Sequence, residues 1–148
     1  MGKVKVPVLL TNYVDKKNAE QGIITEKDIK KSEVNMLVDT GATMIVIGED
    51  LAEKLGIQKE EEVYLKLADD SIQKRYKGHG LLVNYHDRSC LTGCIILEKG
   101  VEPLLGQIPL EEMDLVVDCN NKRLIPNPQS IGGKVVLSAK FAQTRRKK

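Results

Sequence analysis

Aromatic side chains are scarce in this chain of 148 residues, which has no Trp, one Phe and four Tyr. Proteins that bind single-stranded nucleic acid stack the bases on aromatic side chains, and this composition offers little material for such a platform. Charge of one sign is not in excess either, because 23 Lys and Arg face 21 Asp and Glu. Four of the basic residues are the last four of the chain, so no body-wide basic surface for DNA is expected.

Long hydrophobic runs are also missing. One of the longest, at 94–97, is far too short to span a bilayer. The first ten residues hold two lysines and too short an apolar stretch for a signal peptide. An odd number of cysteines, three, fits a reducing compartment. We therefore expect a cytoplasmic protein without a membrane partner, whose length suits one core.

Alternation of apolar and polar residues dominates what is present and predicts an all-β fold. Pro7 in the first alternating segment predicts an edge strand, because proline lacks the amide that a ladder needs. Residues 15–22 are polar and indicate a loop, and the Asn120-Asn121 pair suits a positive φ in a hairpin turn. Short helices are predicted at 48–56 and 109–113, and either a short capped helix or a single turn at 25–28. The predicted strands are 4–10, 34–38, 44–47, 63–67, 72–77, 81–85, 91–97, 114–118, 123–125 and, beyond them, 134–137.

The sharpest chemical signal is Asp39-Thr40-Gly41-Ala42, a turn between two apolar strands. Apolar flanks place the Asp39 carboxylate at the rim of a core. A bland interpretation is that Asp39 is an ordinary turn residue whose side chain accepts from its own backbone. The elements that follow it in the chain favour a functional role.

Over about residues 3–128, the order of these elements resembles the aspartic proteases, in particular the retropepsin-like group with one Asp-Thr-Gly motif per chain. The likeness includes the first alternating strand, the turn at Asp39, a hairpin where the flap belongs, and Leu104-Leu105-Gly106 before a short helix. The closing hairpin at 114–126 is similar to that of prokaryotic members. The resemblance implies an all-β retropepsin-like acid protease barrel with one or two short helices and one lobe per chain. It implies a domain at 1–128, followed by a C-terminal extension at 129–148 that ends in the basic tail.

The same resemblance implies an aspartic endopeptidase whose catalytic residues are Asp39, Thr40 and Gly41. Hydrolysis by this route needs two carboxylates that share one proton. Asp118 lacks the Thr-Gly that would place it in such a turn, so the second carboxylate is expected from Asp39 of a second copy, in a homodimer. By the resemblance, Thr40 bonds across the two-fold axis and Gly41 allows close approach of substrate. No metal or organic cofactor is implied.

Peptide or protein substrates are expected to contact Ala42 and the flap tip. The tip comprises Ala68, Asp69, Asp70 and Ser71, and it has no glycine, whereas viral flaps are glycine-rich. Ala42 also lacks the hydroxyl that Ser or Thr supplies at this position in some such proteases. An aspartic dyad without that donor is expected to work nearer neutral pH.

Other interpretations remain open at this stage. His79, His86, Cys90 and Cys94 are metal-ligand types within sixteen residues, but the cysteine spacing is not that of a zinc knuckle, and surface histidines with packed thiols explain them better. The chain could also be a non-catalytic dimeric peptide-binding module with the same fold. A weaker third possibility is an adaptor that reaches nucleic acid through the tail at 145–148.

Overall fold

The computed structural model of the protein describes residues 3–130. Within this range the strands are β1 (Lys5–Asn12), β2 (Lys31–Val38), β3 (Ile45–Gly48), β4 (Glu61–Lys66), β5 (Ile72–Tyr85), β6 (Arg88–Leu97), β7 (Leu104–Leu105), β8 (Leu115–Asp118) and β9 (Arg123–Pro126). The helices are α1 (Tyr13–Glu20), α2 (Glu49–Leu55) and α3 (Gln107–Glu112), with a 3-10 turn at Glu26–Asp28. The predicted all-β class with a few short helices is confirmed.

Seven strands form one sheet in the order β1-β2-β7-β3-β6-β5-β4. The sheet closes into a barrel because β1 pairs with β2 on one side and with β5 on the other. β4 lies outside this ring, so its second edge is unpaired in the sheet. β8 and β9 form a separate two-stranded sheet. The barrel thus encloses the core and leaves the β4–β5 hairpin projecting from it.

Alternate residues of the strands point into the barrel and form the core. β1 shows the pattern most clearly, since Val6, Val8 and Leu10 are buried while the residues between them are exposed. α2 covers one end through Ala52 and Leu55, and it stops at Gly56, whose left-handed φ of 67° suits the predicted helix end. Burial of this apolar surface is the main stabilising term of the fold.

Pro7 lies at an unpaired edge of β1, although β1 as a whole is not an edge strand. Val38 N donates to Val4 O, so the even-numbered residues of β1 face β2 with their hydrogen-bonding groups. The nitrogen of Pro7 therefore faces the other side, where pairing with β5 begins only at Leu9. The missing amide costs no ladder bond, although the strand as a whole is internal to the barrel.

The prediction of a loop at 15–22 is wrong, because most of this segment belongs to α1. Asn12 begins the helix: its Oδ1 accepts from Asp15 N at 3.0 Å, and its Nδ2 donates to Leu55 O at 2.9 Å. The helix has no buried residue, so it lacks the apolar periodicity that identifies a helix in sequence.

Two further predictions are corrected in the strands. The predicted strands 72–77 and 81–85 are one long strand, β5, which continues through a bulge between Gly78 and Leu81. Gly80 adopts a φ of 82° in this bulge, a left-handed conformation that glycine accepts readily. In the β8–β9 turn, the positive φ falls on Lys122 at 52°, and not on the Asn120-Asn121 pair.

The predicted strand at 134–137, the basic tail and all but the first two residues of the predicted extension 129–148 lie outside the described residues. The domain boundary at residue 128 stays a prediction. Among residues 3–130, every helix is too short or too polar to cross a bilayer.

Asn12→Ala is expected to lower the free energy of unfolding by about 2 kcal/mol, because it removes both the α1 cap and a buried bond to the end of α2. Urea unfolding followed by circular dichroism measures the change. Asn35→Ala, at an exposed position of β2, is the matched control and should be nearly neutral. Equal losses for the two variants would contradict the bridging role of Asn12.

Candidate active site

Asp39 follows directly after β2 and opens a tight turn. Its own amide donates to Leu105 O at 3.0 Å, which fixes the start of the turn. Its carboxylate Oδ1 accepts from Gly41 N at 2.9 Å, and its carbonyl oxygen accepts from Ala42 N at 3.1 Å. The side chain is half-buried, while Thr40 and Gly41 are exposed. The backbone hydrogen bonds of the turn therefore orient the carboxylate, while the next two residues of the turn stay open to solvent.

The Leu104-Leu105-Gly106 segment passes beneath this turn. β7 pairs in parallel with β2, Val38 opposite Leu105, and antiparallel with β3, Val46 opposite Leu104. A short strand is thereby inserted between the two strands that carry the turn.

α3 begins where β7 ends and donates its first amides to the turn. Gln107 N donates to Ala42 O at 2.8 Å, and Ile108 N donates to Thr43 O at 2.9 Å. The first amides of a helix have no partner within the helix, so these bonds satisfy the helix amides as well as the carbonyl groups of the turn. The turn is thus held at Asp39 by β7 and at its far end by α3.

A cavity of about 800 Å³ separates the turn from the β4–β5 hairpin. Asp39, Gly41 and Ala42 lie on one wall of the cavity, and Ala68 lies on the other. Thr43 and Lys66 also line the cavity, and the rest of the lining is apolar: Met44, Val46, Leu65, Leu67, Ile95, Leu104 and Ile108. The cavity has the dimensions and the apolar character of a cleft for side chains of a ligand.

The tip of the hairpin takes its shape from aspartates. Asp70 N donates to Leu67 O at 2.9 Å, Leu67 N donates to Ser71 O at 2.8 Å, and Asp70 adopts a φ of 67°. This is a three-residue hairpin loop whose left-handed position usually holds glycine. Asp69 Oδ1 accepts from Ser71 Oγ and N, at 2.5 and 3.0 Å, and these bonds hold the pKa of Asp69 below its usual value. Ala68 lines the cavity, whereas Asp69, Asp70 and Ser71 lie outside its lining, the two aspartates exposed and Ser71 half-buried.

A second, smaller cavity of about 340 Å³ lies on the other side of the turn. Asp39 and Thr40 line it together with Val117 and Cys119 from the β8–β9 hairpin. Asp118 lies between those two residues, and its carboxylate accepts from Asn121 Nδ2 at 2.8 Å and from Arg123 Nε at 3.1 Å. These bonds hold the pKa of Asp118 below its usual value. Asp118 is therefore engaged within its own hairpin.

The metal-ligand types at 79–94 are separated by their environments. Cys90 and Cys94 are buried in β6, and burial raises the pKa of Cys90 to about 12 and that of Cys94 to about 11. His79 Nδ1 lies 3.2 Å from Glu60 Oε2, and His86 lies in the β5–β6 turn with a φ of 53°. Within residues 3–130, no three His, Cys, Asp or Glu side chains are grouped as metal ligands.

Several residues of the cleft carried no sequence signal. Ile95 and Ile108 line the cavity, but in sequence they belong to the same apolar patterns as core residues. Leu65 and Leu67 alternate on β4 and beyond it as core residues would. Only their position opposite Asp39 distinguishes them, and that position depends on the barrel closing.

Comparison with known proteins gives three findings. The model of the family described as gag-polyprotein putative aspartyl protease matches residues 25–112, which include the Asp39 turn, the hairpin and Gly106. A search of the curated proteins finds no match. Among solved structures, the chain is similar to the EIAV protease complexed with the inhibitor HBY-793, with 13% identity over 74% of this chain and 86% of that chain, and a TM-score of 0.49.

Gly106→Ala is expected to lower the free energy of unfolding by about 3 kcal/mol, because an added Cβ would lie 2.7 Å from Ala42 O and closer still to Met44 O. The φ of Gly106 is −92°, so the backbone itself would accept alanine and the cost is steric. Urea unfolding again measures the change.

Gly100→Ala is the control for that substitution. Its Cβ would meet nothing within 4 Å, but its φ of 83° costs about 1 kcal/mol in a residue other than glycine. A loss at Gly106 no larger than that at Gly100 would contradict the close crossing of β7 beneath the turn.

Proposed function

Because the chain belongs to the gag-polyprotein putative aspartyl protease family, whose model matches residues 25–112, we propose that it is a retropepsin-like aspartic endopeptidase that acts as a homodimer. The observation that carries the proposal is the position of Asp39. Its carboxylate is fixed by the Gly41 amide at the wall of an apolar cleft of about 800 Å³, opposite a projecting hairpin. Peptide or protein substrates are the proposed ligands of this cleft.

Catalysis in this proposal uses one Asp39 from each of two copies. With one proton between them, the charged carboxylate takes a proton from water as the water oxygen attacks the peptide carbonyl carbon. The protonated carboxylate gives its proton to the carbonyl oxygen. When the resulting gem-diol collapses, the C–N bond breaks and the leaving nitrogen receives the proton that the first carboxylate took from water. The second carboxylate takes a proton back from one hydroxyl of the diol as the carboxyl product forms, which restores the starting state with one shared proton. Thr40 bonds across the axis and Gly41 leaves room for substrate.

Substrate binding in this proposal uses the free edge of β4. The segment from Leu65 to Ala68 lines the cleft, and β4 is the last strand of its sheet. An extended peptide can therefore pair with this edge while its side chains enter the apolar walls. Ala42 and Ala68 are proposed to contact substrate directly. Asp69, Asp70 and Ser71 are proposed to act at the tip, by keeping the hairpin in shape over the bound peptide.

Asp39→Asn is expected to abolish cleavage while the protein stays folded, because the amide keeps the shape but cannot take a proton from water. Turnover should fall by about three orders of magnitude or more, as for other groups that act as a unit. The measurement is turnover of a mixed peptide library with and without pepstatin. Wild-type protein that binds peptides but cleaves none would support the alternative, a non-catalytic dimeric peptide-binding module.

Mixing wild type with the Asp39→Asn variant tests the shared site. If subunits exchange and both Asp39 carboxylates are needed, an equal amount of the variant should reduce the activity of a fixed amount of wild type to about half, because mixed dimers are inactive. Unchanged activity after full exchange would show that each chain carries a complete site. Sedimentation of wild type under assay conditions gives the oligomeric state directly.

Ala42→Ser is expected to displace the pH profile of kcat/KM toward acid by about 0.5 unit, since an added hydroxyl can stabilise the charged carboxylate with one hydrogen bond. Ala68→Ser, on the opposite wall of the same cleft, is the matched control and should leave the profile in place. A profile that does not move, or that moves toward alkali, would show that residue 42 does not face the carboxylates.

A further inference from the structure

Arg88 is a buried arginine at the start of β6, with 5% of its surface exposed. Its Nη1 donates to Met113 O at 2.7 Å and to Asp114 O at 3.4 Å. These carbonyl groups belong to the first two residues after α3, of which Met113 is the cap of the helix. A buried guanidinium needs such partners, and a cation is favourable at the carbonyl end of a helix.

α3 connects this arginine to the catalytic turn. The helix has six residues, too few to be stable without support at its ends. Its amino end is held by the Ala42 and Thr43 carbonyls, and its carboxyl end by Arg88. Pro109 and Leu110 pack the helix into the core, so α3 is one short rigid element, and a shift at its carboxyl end is passed on to its amino end.

The segment that follows α3 is also held in place, by the side chain of Asp114. Asp114 is buried, with a φ of 55°, and its carboxylate accepts from Asn127 Nδ2 at 2.9 Å and from Ser130 Oγ at 2.7 Å. The chain cannot relax away from Arg88 without losing these bonds. The carbonyls that Arg88 contacts are thus presented at a fixed position.

From this arrangement we infer that Arg88 is a positioning residue for the Asp39 turn, acting through α3 on the carbonyls of Ala42 and Thr43. A single nitrogen, Nη1, faces both carbonyls, and the rigid planar guanidinium fixes the direction in which that nitrogen donates. Lysine keeps the charge, but its ammonium group lies on a flexible stem and has no such fixed direction. The kinetic part of this inference rests on the proposed function, whereas the structural part does not.

Arg88→Lys and Arg88→Met test the inference in the full-length protein. Amide hydrogen exchange by NMR should show the amides of Ala42, Gln107 and Ile108 exchanging about tenfold faster in Arg88→Lys, while those of the β4–β5 hairpin keep their rates. On a cleaved peptide, kcat should fall by about tenfold to a hundredfold while KM changes much less, because the turn is misplaced whereas the hairpin side of the cleft, to which the substrate backbone is proposed to pair, is not. Arg123→Lys, at an exposed arginine of the β8–β9 hairpin, is the matched control and should change neither measurement.

The outcomes separate cleanly. Wild-type exchange rates at Ala42, Gln107 and Ile108 in Arg88→Lys would overturn the inference, even if Arg88→Met failed to fold. Uniform acceleration across the hairpin as well would show a purely global loss of stability and would also overturn it. If wild type cleaves no peptide, the proposed function fails, but faster exchange confined to the turn and α3 still supports Arg88 as its positioning residue.

Discussion

The carbonyl groups at the far end of the Asp39 turn constrain much of the structure around the cleft. A turn that directs a carboxylate toward a cleft also directs backbone oxygens into the protein, where an unpaired oxygen costs roughly 1–3 kcal/mol. Here the donors are the first amides of α3, and they come close enough only because residue 106 has no side chain. One requirement, that these carbonyl groups find donors, therefore accounts for three features together: the insertion of β7 between β2 and β3, the glycine at position 106 and the position of α3.

The elements that could be predicted from sequence are those whose burial follows a simple period. Val6, Val8 and Leu10 alternate because one face of β1 is in the core, and α2 shows a clear apolar side and a glycine stop. α1 was missed because a helix without buried residues has no period to detect. β5 was divided in two because Gly78 and Gly80 resemble a strand end, although the barrel carries the strand through them as a bulge.

The candidate site shows the same division. The Asp39 turn was predictable, since a charged residue between two apolar strands is unusual and the elements after it occur in a recognisable order. The walls of the cleft were not, because Ile95 and Ile108 differ from core residues only in what lies opposite them. Arg88 was hidden for a related reason: an arginine beside Asp87 in a hairpin turn resembles a solvent-exposed residue, and only the tertiary structure supplies the carbonyls that bury it.

The three cysteines differ sharply in accessibility. Cys90 and Cys94 are buried in β6 with raised pKa values, so they are poor nucleophiles at neutral pH, whereas Cys119 is exposed after β8. A maleimide dye or nitroxide spin label applied to the native protein will therefore attach at Cys119 in preference to the other two thiols. Because Cys119 lines the same small cavity as Asp39 and Thr40, such a label gives a spectroscopic probe beside the turn without any change to the sequence.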